Sequence, residues 1–94
     1  MESIRFKMGD KVRCIRGYYL SDVGSKAIGV IVGERNGYEY DNEYIVDYSN
    51  DLKNVNYKRY LHTCGGRLRK ATGYYLLESD LELVSRKTTN IDKY

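Results

Sequence analysis

The residue types best suited to chemistry in this chain are its two cysteines and its single histidine. Zinc binds thiolate and imidazole groups in a tetrahedral arrangement. His62 and Cys64 are two positions apart, so an extended strand would place both side chains on one side, within reach of one ion. Cys14 would have to be brought to them by the fold, and a fourth ligand would still be needed. The pattern predicts a zinc site formed by Cys14, His62 and Cys64.

A second interpretation of the same residues requires no metal. Cys14 shares one face of an alternating segment with Val12, and a free cysteine behaves as a small buried hydrophobic residue. His62 and Cys64 would then be loop residues that stabilise the turn at Gly65-Gly66. A Cys-x-x-Cys pair would favour the metal more strongly, so both interpretations stay open.

The His62 and Cys64 pair offers little for catalysis. A cysteine nucleophile needs a thiolate and a base that a third group orients, and no neighbouring residue provides that third group. The chain has no serine–histidine–aspartate order and no glycine-rich phosphate loop of a known form. We therefore predict a protein that is not an enzyme and acts by binding.

Charge is segregated in the middle of the chain. Residues 34–51 carry six acids against one arginine, a net charge of −5, whereas residues 53–70 carry six bases and no acid, a net charge of +6. Tyrosines run through both stretches. The predicted partner-binding residues are Tyr38, Tyr40, Tyr57, Lys58, Arg59, Tyr60, Arg67, Arg69 and Lys70.

Three interpretations of this pattern stay open. Tyrosine and arginine are enriched at protein–protein contacts, and this interpretation is the favoured one. Cations beside rings also suit nucleic acid, because they neutralise phosphates and stack on bases. Charged edges can also simply keep neighbouring molecules apart. The pairs Tyr18-Tyr19 and Tyr74-Tyr75 add candidate contacts, since a strand would turn one ring of each pair inward and the other outward.

The elements that must position these residues are short strands separated by glycine turns. No segment has the spacing of a long helix, and the strands are rich in β-branched and aromatic residues. Asn36-Gly37 is the strongest hairpin signal, Gly29 suits a bulge or a close strand crossing, and Ser79 is expected to cap a single helical turn. The predicted strands span residues 11–16, 26–33, 43–48, 55–62, 73–77 and 82–84.

Length and composition set the organisation of the chain. Its 94 residues suffice for one domain, and its net charge of +3 is only mildly basic. No apolar run approaches the ~18 residues of a membrane span, and residues 1–9 lack the apolar core of a signal peptide. We therefore expect a cytoplasmic protein with reduced cysteines, a domain over residues 1–84, a flexible tail over 85–94, and a monomer or homodimer.

The order and spacing of these strands resemble those of SH3-like barrels, including KOW-type domains. The likeness is carried by residues 6–13, 29–33, 44–48, 73–76 and 79–84 and covers roughly residues 6–84. It implies an all-β fold, a small SH3-like barrel or roll of five or six antiparallel strands with one short helical turn.

The motif His62-Thr63-Cys64-Gly65-Gly66, followed by Gly73-Tyr74-Tyr75, is similar to small phage and prophage proteins with a His-x-Cys-Gly element. Some proteins of this kind inhibit host defences, among them a zinc-containing inhibitor of a type II CRISPR effector nuclease. The resemblance implies a host protein as partner in the host cytoplasm, with that nuclease as the candidate. A positively charged chain is a poor mimic of DNA, so we expect contact with a protein surface. The alternative is a KOW-type nucleic-acid-binding module that uses the basic, tyrosine-rich segment 53–70.

Overall fold

The computed structural model describes residues 5–35 and 42–86 of the chain. Five strands form one sheet: β1 (Lys11–Cys14), β2 (Gly29–Arg35), β3 (Glu43–Asp47), β4 (Gly73–Leu77) and β5 (Leu81–Ser85). The helical elements are all short: the helix α1 (Leu20–Val23) and the 3₁₀ turns η1 (Leu52–Asn54), η2 (Lys58–Tyr60) and η3 (Glu78–Asp80). None of the helices in the described ranges is long and apolar enough to cross a membrane.

The strands follow the order β4-β3-β2-β1-β5, and every neighbouring pair is antiparallel. The register shifts within β2, between Ile31 and Gly33, and again between Lys11 and Val12 of β1. Bulges of this kind bend a strand and increase its twist, so one sheet can curl around its own core. The prediction of a small all-β fold of antiparallel strands with a short helical turn before the last strand is confirmed. The likeness to SH3-like barrels stays a prediction.

The core lies on the inner face of this curled sheet. Val12 and Cys14 alternate inward from β1 and are fully buried, as the spacing of apolar residues predicts. β3 contributes Tyr44 and Val46, and Leu76 joins them from β4. A domain of this size depends on such a core, since it has no disulfide between its two free cysteines.

Gly29 leaves space for two side chains on the inner face of the sheet. A Cβ atom at this position would lie 2.3 Å from Cγ1 of Val46 and 3.0 Å from a ring carbon of Tyr48. A residue with a side chain would therefore displace Val46 or Tyr48 from the core. The sequence singles out Gly29 correctly, but β2 and β3 are paired neighbours and do not cross there.

The predicted strand over residues 55–62 is wrong. Val55 and Leu61 are buried while residues 56–60 between them are all exposed, which is not the alternation of a strand. The segment instead contains η2, because the Tyr60 and Leu61 N–H groups donate locally, to the Tyr57 and Lys58 carbonyls at 3.1 and 3.0 Å. Just before it, η1 is held by the Asp51 carboxylate, which accepts hydrogen bonds from the Asn54 side chain and from the Ile28 N–H, both at 2.9 Å. Such local side-chain bonds compete with strand pairing. Only His62 pairs, through an isolated bridge to Gly73.

Two smaller predictions have different outcomes. Ser79 does not cap the last helical turn, because η3 begins one residue earlier, after Leu77, and no side chain caps it. The predicted Asn36-Gly37 turn and most of the predicted tail, residues 87–94, lie outside the described residues.

Candidate functional site

A continuous row of aromatic rings lies on one side of the domain. The ring centroids of Tyr18 and Tyr19 are 5.0 Å apart, and Tyr19 is 5.2 Å from Tyr74. The His62 ring lies 5.5 Å from the rings of both Tyr74 and Tyr75. At these separations tilted and edge-to-face rings attract one another. The row therefore joins the loop before α1 to the edge strand β4.

The short helix α1 anchors this row to the sheet. Its turn begins at Gly17, which has φ +98° and accepts the Leu20 N–H at 3.2 Å. The Tyr74 hydroxyl donates to the Asp22 carboxylate at 2.7 Å, and the Asp22 carbonyl accepts the Tyr57 N–H at 3.0 Å. One acidic residue of α1 thus ties together β4 and the segment that leads into η2.

The segment at η2 adds a second group of rings beside the first. Tyr57 and Tyr60 are 5.8 Å apart between centroids, and the Arg59 guanidinium carbon lies 5.9 and 5.7 Å from their rings. Burial, with the hydrogen bond from Tyr74 to Asp22, raises the pKa of the Tyr74 hydroxyl, and nearby Tyr60 adds to this effect. We call the combined surface the aromatic face; it consists of Tyr18, Tyr19, Tyr57, Tyr60, His62, Tyr74 and Tyr75.

Arg35 gives the aromatic face a basic end. Its guanidinium carbon sits 3.8 Å from the centroid of the Tyr75 ring, a cation–π arrangement, and its Nε donates to the Glu43 carboxylate at 3.0 Å. A shallow groove of about 150 Å³ opens here. Its lining consists of Tyr19, Arg35, Glu43, His62, Tyr74 and Tyr75.

Much of the aromatic face is open to solvent. The expected inward–outward split is wrong for Tyr18 and Tyr19, which lie in a turn and are both exposed. It holds in β4, where Tyr74 is buried and Tyr75 is partly exposed. The exposed fractions of the open tyrosines are 86% for Tyr18, 48% for Tyr60, 47% for Tyr57 and 39% for Tyr19.

The His62 and Cys64 pair forms part of a tight turn. The Cys64 N–H donates to Nδ1 of His62 at 3.1 Å, so the proton of the neutral ring lies on Nε2. The Leu68 N–H donates a hydrogen bond to the Thr63 carbonyl at 3.0 Å and closes the turn. The Nδ1 lone pair is therefore directed at the backbone and not at the thiol.

Both cysteines are buried. Burial raises the pKa of the Cys64 thiol to about 11. Burial also raises the pKa of Cys14, whose Sγ donates to the Arg16 carbonyl at 3.3 Å. Both groups are protonated thiols near neutral pH, whereas a nucleophile or a metal ligand has to be a thiolate.

The structure does not bring the three predicted zinc ligands together. Cys14 belongs to the main core, while the Cys64 Sγ packs against Gly73 at the start of β4. Within residues 5–35 and 42–86, no three His, Cys, Asp or Glu side chains are grouped as a metal ion requires. The arrangement described does not fit a shared tetrahedral site, and zinc binding stays a prediction.

The predicted partner-binding residues are divided between several places. Those at 57–60 share the aromatic face, whereas Arg67 extends towards Gly33 of β2. Arg69 and Lys70 are exposed in the bend before β4, and Tyr38 and Tyr40 lie outside the described residues.

Some members of the site carry no signal of this role in the sequence. Asp22 is an ordinary acidic residue of a loop until the fold places it under Tyr74. His62 is identified as a possible ligand, not as one ring in a row. Arg35 has a weak signal, since it is the only cation within the acidic stretch 34–51.

Comparisons of the chain with family models, with curated proteins and with solved structures find no match. The geometry described above, together with the resemblance of its motifs, therefore carries the functional proposal.

Proposed function

We propose that this protein is a non-catalytic, phage-type binding protein that inhibits a host defence factor by covering part of its protein surface. The observation that carries the proposal is the aromatic face, in which the exposed rings of Tyr57 and Tyr60 lie next to Arg59 and beside the row that contains the exposed Tyr18 and Tyr19. The role is occlusion, because the proposal assigns no chemistry to His62 or Cys64.

The composition of the aromatic face favours a protein partner. Tyrosine offers a large, rigid contact area with few rotatable bonds, and tyrosine and arginine are typical hot-spot residues of interfaces. Tyr57, Arg59 and Tyr60 are neighbours in η2 and its preceding residue, so a single short element presents all three. We expect this element to be the centre of the interface.

The candidate target is a type II CRISPR effector nuclease, and this step rests on the His-x-Cys-Gly resemblance alone. The net charge of +3 argues against imitation of DNA by the inhibitor. A structural zinc belongs to the same resemblance. Elemental analysis of untagged protein is expected to find zinc at about one ion per chain if the resemblance extends to the metal, and a metal-free protein would contradict it.

The experiment measures DNA cleavage by the purified nuclease–guide complex with increasing inhibitor. The wild-type chain is expected to block cleavage. The double variant Tyr57→Ala/Tyr60→Ala is expected to lose about 2 kcal/mol of binding, which raises the half-maximal inhibitory concentration about thirtyfold. The matched control is Met8→Ala, which removes another exposed apolar side chain (64% exposed) outside the aromatic face.

Two results would contradict the proposal in different ways. Equal inhibition by wild type and the double variant would exclude the aromatic face as the contact surface. No inhibition of cleavage by wild type, together with no capture of the nuclease from nuclease-treated lysate, would exclude the target.

The second candidate function is a nucleic-acid-binding module that uses segment 53–70. The stacking of Arg59 beside Tyr57 and Tyr60 supports it, because rings and guanidinium planes also hold unstacked bases. In a gel shift, Arg67→Glu and Arg69→Glu are expected to abolish binding with a steep salt dependence if this function is correct. Retained binding in both variants would exclude it.

A further inference from the structure

A second surface of the domain carries an unbalanced positive charge. A groove of about 450 Å³ lies over the outer face of β1 and β2, next to η1. Lys11 comes from β1, Lys26 from the loop before β2, and Lys53 from η1. These lysines come from three distant segments, and only the fold makes them neighbours.

None of these three lysines forms an ion pair within the described ranges. Asp51 is the one acid among the described residues of the lining, and both of its carboxylate oxygens already accept hydrogen bonds, from Ile28 N–H and from the Asn54 side chain. Three ammonium groups against one carboxylate leave the groove a net charge of +2. The ammonium groups therefore remain available to an outside anion.

The rest of the lining indicates the kind of anion. Asn50 adds an exposed side-chain amide, and Ile28 and Val30 form a partly buried apolar floor. The described lining residues supply their positive charge through lysines alone, and lysine ammoniums act as point charges that hold a phosphate without fixing its orientation. No aromatic ring on which a base could stack is among these described residues.

We propose that the Lys11–Lys26–Lys53 groove binds the phosphodiester backbone of a nucleic acid, without reading its sequence. The groove shares no lining residue with the one at the aromatic face, so this activity is separate from the proposed protein contact. Because no ring lines the groove, duplex DNA is expected to bind at least as tightly as a single strand, since its phosphate charge density is higher.

The test is fluorescence anisotropy with a labelled mixed-sequence duplex and the matching single strand, between about 50 and 200 mM salt. The full-length wild-type chain is expected to bind both. The variant Lys26→Ala/Lys53→Ala is expected to bind about tenfold or more weakly and to lower the slope of log affinity against log salt by about 1 per lysine removed.

The matched control is Lys7→Ala/Arg16→Ala, which removes the same charge from two exposed positions that do not line the groove. It is expected to change affinity and slope much less than the groove variant. Three results would overturn the proposal: no duplex binding by wild type at the lowest salt, an equal loss in the control pair, or binding of an acidic peptide that competes with the duplex at equal affinity. Circular dichroism melts of each variant exclude unfolding as the cause.

Discussion

At the scale of single residues, Cys64 shows how one backbone angle determines the chemistry of a side chain. It has φ +54°, a left-handed conformation that costs an ordinary residue about 1–2 kcal/mol, and Gly65 and Gly66 continue the turn with φ +70° and +89°. The turn folds the thiol inward against Gly73, where it is only 1% exposed. The buried thiol is therefore held in its neutral form.

The raised pKa of Cys64 makes stability depend on alkaline pH. The pKa of the Cys64 thiol rises from 9.0 to about 11 on folding. Below pH 9 the thiol is protonated in both the folded and the unfolded chain, so its contribution to the free energy of unfolding is at its full value there. Between about pH 9 and 11 the unfolded chain releases its proton first, and the free energy of unfolding falls.

We expect wild type to lose about 1–2 kcal/mol more than Cys64→Ala between about pH 8 and pH 10.5, as measured by urea denaturation. The comparison with Cys64→Ala removes the contribution of buried tyrosines that also titrate at high pH. If the free energy of unfolding fell by the same amount with rising pH in wild type and in Cys64→Ala, the prediction would be contradicted.

At the scale of elements, η2 takes the place of the predicted strand over residues 55–62, and η2 and the preceding η1 carry functional side chains of both surfaces. Asp51 connects the start of β2 to η1 through its bonds to Ile28 N–H and Asn54. η1 presents Lys53 to the basic groove, and η2 presents Arg59 to the aromatic face. A paired strand over residues 55–62 would separate the side chains that η2 groups.

Asp51→Ala is expected to lower the free energy of unfolding by about 1–3 kcal/mol, because two donors lose a charged acceptor. The control is the adjacent Asn50→Ala, whose side chain makes no hydrogen bond within the described residues and should change stability by less than about 0.5 kcal/mol. Urea denaturation measures both variants. If Asp51→Ala and Asn50→Ala had equal free energies of unfolding, the hydrogen bonds of Asp51 would not be what stabilises η1.

At the scale of the whole molecule, one small roll has room for two separate surfaces. A typical protein interface covers about 800 Å² per partner, which is roughly an eighth of the accessible surface of 6304 Å². The aromatic face lies around α1, η2 and β4, while the basic groove lies over β1, β2 and η1. The two grooves share no lining residue, so substitutions in one leave the residues of the other in place.

Separate surfaces predict separable losses. Tyr57→Ala/Tyr60→Ala should lose inhibition and keep duplex binding, and Lys26→Ala/Lys53→Ala should do the reverse. The quadruple variant should show the sum of the two effects in both assays, because substitutions at sites without shared contacts add. A loss of both activities in either double variant, with the fold intact, would indicate a single shared surface.

The sequence by itself determined the local elements. Alternation placed Val12 and Cys14 in the core, the glycine at residue 29 left room for the side chains of Val46 and Tyr48, and β-branched and aromatic runs marked four of the strands. These features depend on residues within a few positions of one another, so the local amino-acid sequence is enough to predict them. The sequence-based prediction failed at residues 55–62, where the Tyr60 and Leu61 N–H groups bond to nearby carbonyls and form η2 instead of a paired strand.

Only the tertiary structure decided the sites. Asp22 meets Tyr74 across 52 positions, His62 becomes one ring of a row, and the three lysines of the groove come from separate segments. The predicted trio of Cys14, His62 and Cys64 is not grouped among the described residues, because the core holds Cys14 while a turn buries Cys64 beside β4. Spacing along the chain sets which residues share a strand face, but the curl of the sheet sets which strands and loops meet.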